Sequence, residues 1–324
     1  MKKLYLLVCL AVAFFSHPSV AQSNTNSYPN QAITLVVPAG VGGITDSLAR
    51  ILAEKLGKEL GQSVIVDNRA GASGVIGTGH VARAKPDGYT LLMVFPSHVV
   101  NPSLKKDLPY DTVKDFAPIA KVGTVSAILL VNADSPANSV EDFIALAKKQ
   151  PGTLNYGSVG VGSWGDTAMK LFQARTGIEL THVPYKGDPQ VMTALVQGDL
   201  QAGFVSPISS MAMIKADKVK ALAIADAERL PVMPDLPTIS ESGLPGFDVT
   251  GWNAVFAPAG TPEPIIARLN QAMNSALKDP DLKKNFLSQG VVPLGGSPED
   301  LQKSLESDIR RIGDTLRSAG VKPS

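Results

Sequence analysis

Apolar and polar positions alternate along this chain in blocks that read as strand, turn, helix, over and over. Ile33-Thr34-Leu35-Val36-Val37 is a strand that ends at Pro38. A glycine turn, Ala39 to Asp46, leads into a helix carrying Leu48, Ile51, Leu52, Leu56 and Leu60 on one face. Thr45 or Asp46 can cap it, and Gly61 stops it. Val64-Ile65-Val66 is a second strand. Gly71, Gly74, Gly77 and Gly79 form a loop into a short helix near His80 to Ala84, and Tyr89 to Phe95 is a third, buried strand. This alternation predicts a parallel sheet covered by helices on both faces.

Asn101 to Phe116 lacks periodicity and reads as loop. Ile119 to Val122 and Ala127 to Val131 are strands in close succession, with Gly123 to Ser126 between them as a first hinge. A second unit follows: a helix Val140 to Gln150, a strand Thr153 to Tyr156, a glycine turn, and a helix to Arg175 capped by Gly177. Then come a strand Ile178 to Val183, a turn Pro184 to Asp188, a helix Pro189 to Gln197, and strands at Ala202 to Val205 and at 219–225. Arg229 to Gly246 is proline-rich loop. Trp252 to Ala257 reads as a strand returning to the first sheet, under amphipathic helices Pro264 to Leu277 and Pro298 to Ala319. The fold class is α/β, in two lobes, each a mainly parallel sheet flanked by helices and joined by a two-segment hinge. Residues 28–125 with 254–324 form lobe 1, and 126–253 form lobe 2. A ligand would lie between the carboxyl ends of the strands.

The start of the chain adds a location. Lys2 and Lys3 precede an apolar run, Leu4 to Phe15, too short to span a bilayer. Ser19-Val20-Ala21 is a small-x-small cleavage site. Residues 1–21 therefore read as a Sec-type signal peptide cleaved after Ala21, which sends the protein to the periplasm. The single cysteine, Cys9, falls within that run, so the mature chain has no disulfide or thiol chemistry. Export also separates it from NAD(H) and ATP. A net charge of +1 gives no surface for nucleic acid.

The candidate chemistry lies in two bare-backbone turns. Tyr156-Gly157-Ser158-Val159-Gly160-Val161-Gly162-Ser163-Trp164-Gly165-Asp166 opens a helix whose first N–H groups have no internal acceptor, a natural anion cradle. A buried carboxylate costs several kcal/mol unless satisfied. Hydrogen bonds to a charged group return about 1.5–3 kcal/mol each, so three or four convergent donors are required. Ser158, Ser163 and the amides from Val159 to Trp164 with Gly162 supply one set. Val41, Gly42, Gly43 and Thr45 supply the facing set. Trp164 either stacks on a ligand or packs the lobes together. Asp166 either meets a ligand N–H or hydroxyl or caps the helix. Tyr185 and Lys186 lie on a turn that reaches the cleft, and Val205 ends a strand there. With Val205 uncharged, an ammonium group is poorly served. The ligand class is a mono- or dicarboxylate with an apolar or aromatic middle.

Other patterns fail. Gly160-x-Gly162-x2-Gly165 is a lone dinucleotide fingerprint in the wrong compartment. A phosphate loop would need lysine where Asp166 stands. His80, His98 and His182 are too scattered for a metal site, so no metal, cofactor or catalytic residue is expected.

Blocks along the whole mature chain resemble the Bug-type (TctC-like) solute-binding receptors of tripartite tricarboxylate transporters. They are Pro38-x4-Gly43-x-Thr45-Asp46-x2-Ala49-Arg50, Asp67-Asn68-Arg69-Ala70-Gly71, Pro86-Asp87-Gly88-Tyr89-Thr90-Leu91-Leu92 and Leu108-Pro109-Tyr110-Asp111-x3-Asp115-Phe116. Tyr156-Gly157-Ser158-x-Gly160-x-Gly162-Ser163, Pro184-Tyr185-Lys186-Gly187 and Ala257-Pro258-Ala259-Gly260-Thr261-Pro262 continue the series. The chain differs from the family pattern in having Asp166 where His is common and Val205 where an acid is common. The resemblance implies a type II periplasmic binding-protein fold and no catalysis. It also implies carboxylates held by main-chain amides and hydroxyls of the two turns, and delivery to integral-membrane transporter subunits. A monomer is expected. Two rivals remain at this point: an exported hydrolase using Ser158 or Ser163, and a ligand sensor for a signalling partner.

Overall fold

The computed structural model describes residues 28–318, 320, 321 and 323. The expected signal peptide lies outside them. In chain order the first elements are β1 (Ile33–Val37), α1 (Ile44–Leu60), β2 (Val64–Asn68), α2 (Val75–Ala82), β3 (Thr90–Val94), α3 (Ser97–Leu104) and β4 (Phe116–Val125). The middle of the chain builds β5 (Ile128–Asn132), α4 (Val140–Lys149), β6 (Asn155–Ser158), α5 (Trp164–Thr176), β7 (Thr181–Pro184), α6 (Asp188–Gln197), β8 (Ala202–Val205), α7 (Pro207–Lys215) and β9 (Val219–Ile224). The last part adds β10 (Gly251–Pro258), α8 (Glu263–Ala276), α9 (Pro280–Ser288), β11 (Pro293–Gly295) and α10 (Pro298–Ser318).

These strands form two sheets. One runs β11-β4-β10-β3-β1-β2, and the other β7-β6-β8-β5-β9. The chain leaves the first sheet after β4 and returns to it with β10. Both sheets are mixed, where mainly parallel sheets are expected from the alternating pattern. β1 pairs in parallel with β2 and β3, and β6 with β7 and β8. The antiparallel intruders include β5 and β10, each the first strand to enter a sheet from the other one. Only Ser126 and Ala127 separate β4 from β5. The chain therefore runs straight on from one sheet into the next, and its direction is set by the crossing instead of by a helical crossover.

The apolar stripes read from the sequence face inward. On one side of the first sheet Leu35, Leu52, Leu56, Leu269 and Phe286 share a core; on the other, Val36, Leu92, Phe256 and Leu305 do so. The second sheet has Phe143, Phe172, Phe204 and Phe247 on one face and Ile128, Val191, Leu195 and Val205 on the other. Gly61 and Gly177 close α1 and α5 in the left-handed region, at φ 69° and 68°.

Three features depart from the sequence expectation. The stretch after residue 96 holds α3, with Pro102 inside it, and α7, α9 and β11 are additional. The short second helix starts earlier, at Val75. The first hinge is shorter than Gly123 to Ser126, because β4 stays paired with β10 as far as Val125 opposite Gly251. The crossings are bound side by side. The Ser126 hydroxyl donates to Asp226 Oδ2, Ala225 N donates to Ala127 O at 2.9 Å, and Val249 N donates to Ala225 O at 2.9 Å.

Candidate functional site

The carboxyl ends of β1 and β6 each run into a glycine turn and then a helix, and the two turns share one construction. In the first, Gly42 N donates to Asp46 Oδ2 at 2.8 Å, and Arg50, one helical turn on, reaches the same carboxylate at 3.0 Å. In the second, Gly162 N donates to Asp166 Oδ2 at 2.8 Å, and Lys170, one helical turn on, reaches it at 2.8 Å. Gly42 and Gly162 have φ of 82° and 78°, a region that costs an L side chain strain. Each aspartate thus pins the left-handed glycine back onto its helix, and the cation four residues later neutralises it.

This construction engages four of the candidate residues within the chain itself. Asp166 is fully buried and also accepts the Tyr156 hydroxyl at 2.8 Å. It shapes the turn, its carboxylate engaged by the chain's own groups, which fits the structural one of its two sequence readings. The amides of Gly42 and Gly162 are likewise consumed by their own chain, as is Ser163 N, which donates to Gly160 O at 3.1 Å. Ser163 is the N-cap of α5, its Oγ accepting from Asp166 N at 3.4 Å. The helix-opening amides left at the mouths include those of Ile44, Thr45 and Asp46 in α1 and of Trp164 and Gly165 in α5, for which neither helix holds an acceptor.

Around these amides the surface is apolar. Val41, Val159 and Val161 are 75%, 42% and 64% exposed at the tips of the turns, and Gly43 is exposed beside them. Thr45 is buried, its hydroxyl 3.4 Å from Asn253 Nδ2, which also donates to Val94 O at 2.9 Å. Asn253 Oδ1 is buried without a partner among the described residues, directly beneath the first turn.

Trp164 packs against both the second-sheet core and the first-sheet core around Trp252 and Leu305. A Cβ built on Gly251 would lie 3.0 Å from its Cε2, so β10 approaches the indole face directly. The indole thus packs the two units together, with its Nε1 buried and without a partner among the described residues. A Cβ on Gly162 would lie 2.5 Å from Leu104 Cδ1, which brings α3 of one unit against the turn of the other. Tyr185 continues the β6 ladder, its N donating to Ser158 O at 2.8 Å, with its ring against the Val191 core. Val205 is 1% exposed and points into that same core, so only its main chain lies at the strand end.

Sequence alone misses His182. The β6–β7 register sets it opposite Tyr156, where the rings stack at 4.8 Å, and its Nε2 lies 2.7 Å from Ser158 Oγ. Its Nδ1 lies 3.8 Å from Asp166 Oδ1. Burial lowers its pKa, and Lys170 adds to this while Asp166 opposes it. Period-two alternation along β7 places the ring on a known face, but only strand register brings it to Ser158. The trio has the residue types of a nucleophile, base and orienting acid. Ser158 is only 3% exposed, however, and 3.8 Å is too long for a hydrogen bond to the acid. Among the described residues no group of three or more His, Cys, Asp or Glu is placed to hold a metal ion.

Comparison with known proteins agrees with this layout. Residues 48–321 match the family model described as the tripartite tricarboxylate transporter family receptor, TctC. A protein encoded in the tcbD-tcbE intergenic region of Pseudomonas sp. (strain P51) is 37% identical over 307 residues, 94% of this chain and 91% of that protein. The structure of R. palustris Rpa4515 with adipate superposes with a TM-score of 0.85 at 36% identity, covering 92% of this chain and all of that one. MatC from Rhodopseudomonas palustris with bound malate gives 0.80 at 33% identity, over 89% of this chain and 100% of that one. The chain therefore belongs to the TctC family, the periplasmic receptors of tripartite tricarboxylate transporters, which bind solutes and do not transform them.

Proposed function

We propose that this protein, exported to the periplasm as a monomer, captures a small organic carboxylate between its two glycine turns. It closes about the Ser126–Ala127 and 225–250 crossings and hands the ligand to the membrane subunits of its transporter. Lobe 1 is residues 28–125 with 254–324, and lobe 2 is 126–253. The observation that carries this reading is the duplicated turn. Two strand ends each offer helix-opening amides, and each has its own aspartate already neutralised by a cation four residues on. That leaves positive partial charge at both mouths for a ligand's acid ends.

Ile44, Thr45, Trp164 and Gly165 would donate from the main chain, with Gly43, Ser158 and Ser163 shaping the mouths. Val41, Val159 and Val161 would flank the ligand body, which favours a mono- or dicarboxylate with an apolar middle. Aromatic stacking on Trp164 loses its support, since that ring is engaged in packing. The adipate and malate bound by two neighbours are consistent with the class. A thermal-shift panel of adipate, malate, succinate and benzoate tests it. Ligand at about 100 times its dissociation constant adds roughly 2.7 kcal/mol of stability. Silence across all small carboxylates would remove the proposal.

A further inference from the structure

Beneath the second turn, one imidazole touches the supports of both its ends. Ser158 Oγ contacts three groups: Gly160 N at 3.1 Å, Gly160 O at 3.1 Å and His182 Nε2 at 2.7 Å. On its other side His182 Nδ1 looks toward Asp166 Oδ1 at 3.8 Å, and Asp166 holds Gly162 N and Lys170. We propose that His182 is a positioning residue whose ring proton sets, through Ser158, the hydrogen bonding of the turn from Val159 to Ser163, and with it the grip on an anion. The second half of this statement rests on the function proposed above.

A serine hydroxyl has one hydrogen to give and two lone pairs to receive. The Gly160 amide can only donate, and its carbonyl can only accept. All three contacts therefore coexist only when Nε2 carries a hydrogen and donates to Oγ, which frees the hydroxyl hydrogen for Gly160 O. A bare Nε2 takes that hydrogen instead, and the Gly160 carbonyl loses its bond from Ser158 and keeps only the one from Ser163 N. The neutral ring has a single hydrogen to share between its two nitrogens. Placed on Nε2, it leaves the Nδ1 lone pair facing the Asp166 carboxylate. Placed on Nδ1, it loosens Gly160. The imidazolium alone suits both sides.

The groups facing the ring are Asp166 and Lys170 from α5 and Tyr156 and Ser158 from β6. Burial and Lys170 disfavour the imidazolium, and Asp166 favours it. An anion arriving at the turn adds negative charge and raises the ring's affinity for a proton. By linkage, proton uptake tightens the hold on the anion by the same factor. Affinity then rises as pH falls through the ring's pKa, by up to about tenfold per pH unit.

The test begins with ligand-free protein. Nitrogen-15 NMR follows the His182 ring and the Gly160 and Gly162 amides from about pH 8 to pH 4.5, a window that extends well below the free imidazole value because burial lowers the ring's pKa. The Gly160 amide is expected to titrate with the ring in wild type and to stop following it in Ser158→Ala. His182→Gln, which keeps a side-chain N–H donor but does not titrate, is expected to give a Gly160 shift that is flat with pH. Calorimetry with adipate, run in two buffers of different protonation enthalpy, should show proton uptake in wild type and none in His182→Gln. A Gly160 amide that stays silent while the ring titrates overturns the proposal, as does an identical pH slope of adipate affinity in both proteins. If Gly160 follows the ring but neither adipate nor malate binds, the positioning role stands and the carboxylate reading falls.

Discussion

His98 lies in α3 with neither ring nitrogen bonded among the described residues, boxed in by Tyr110, Phe116 and Phe256 at 5.5–6.3 Å. Burial holds its pKa down at about 3, so the ring is neutral in the folded chain. Unfolded, it takes a proton near pH 6.5, which draws stability away as pH falls below that value and on toward 3. Asp226 does the reverse. Burial, with Asp248 adding to it, pushes its carboxyl up to about 7 against the Ser126 hydrogen bond. The folded state then holds a proton that the unfolded state releases above about pH 4, so stability falls as pH rises from there to 7. Across the shared window the two slopes oppose each other. Urea unfolding across this range is expected to give a rising profile for Asp226→Asn and a falling one for His98→Phe. Each variant departs from wild type by up to about 4 kcal/mol at the far end of its window. Parallel profiles in all three proteins would refute both assignments. Neither residue stands out in the sequence. His98 looks like a loop histidine because Pro102 hides α3, and Asp226 is one acid in a polar run until the sheet crossing buries it.

Among elements, the two glycine turns are legible from glycine density between a strand and a periodic helix, and their positions are as expected. Which amides stay free is not legible, because Gly42 and Gly162 are consumed by aspartates four residues on. Burial pushes Asp46 up, but hydrogen bonds from Gly42, Arg50 and Asn68 prevail and hold its pKa below the usual carboxylate value. The environments of the two turns differ. The Arg50 side chain is 52% exposed, whereas that of Lys170 is 21% exposed over a carboxylate with no exposure at all. Asp166→Ala therefore strands a poorly hydrated cation and a buried N–H, and should cost about 3–5 kcal/mol. Asp46→Ala lets Arg50 return to water and should cost about 1–2 kcal/mol. Denaturant midpoints at neutral pH measure both, and equal losses would contradict this inside–outside difference. The crossover direction of β5 and β10 is equally hidden, since a run of apolar residues does not state which way its neighbour points.

At the scale of the molecule, the sequence reading of two units and a returning strand matches the sheet assignment, because chain alternation and the Trp252 block are strong local signals. What joins the units is tertiary. Trp164 links the two cores, and its replacement by alanine should cost about 3 kcal/mol. It should also weaken the resting contact between units, visible as a larger radius of gyration in small-angle scattering. An unchanged radius with full stability would make the indole incidental. The chain has two tryptophans, and the other, Trp252, is anchored by its Nε1 to Asp308 Oδ2 at 2.7 Å. β10, which carries Trp252, lies between β3 and β4 with every residue buried. Until residue 258 has been made, β3 and β4 have no partner on their facing edges, so most of the polypeptide must exist before its first half can condense. Slow, late folding is built into this order of strands, and a fragment ending at residue 250 should clump through those bare edges where the intact chain stays dispersed.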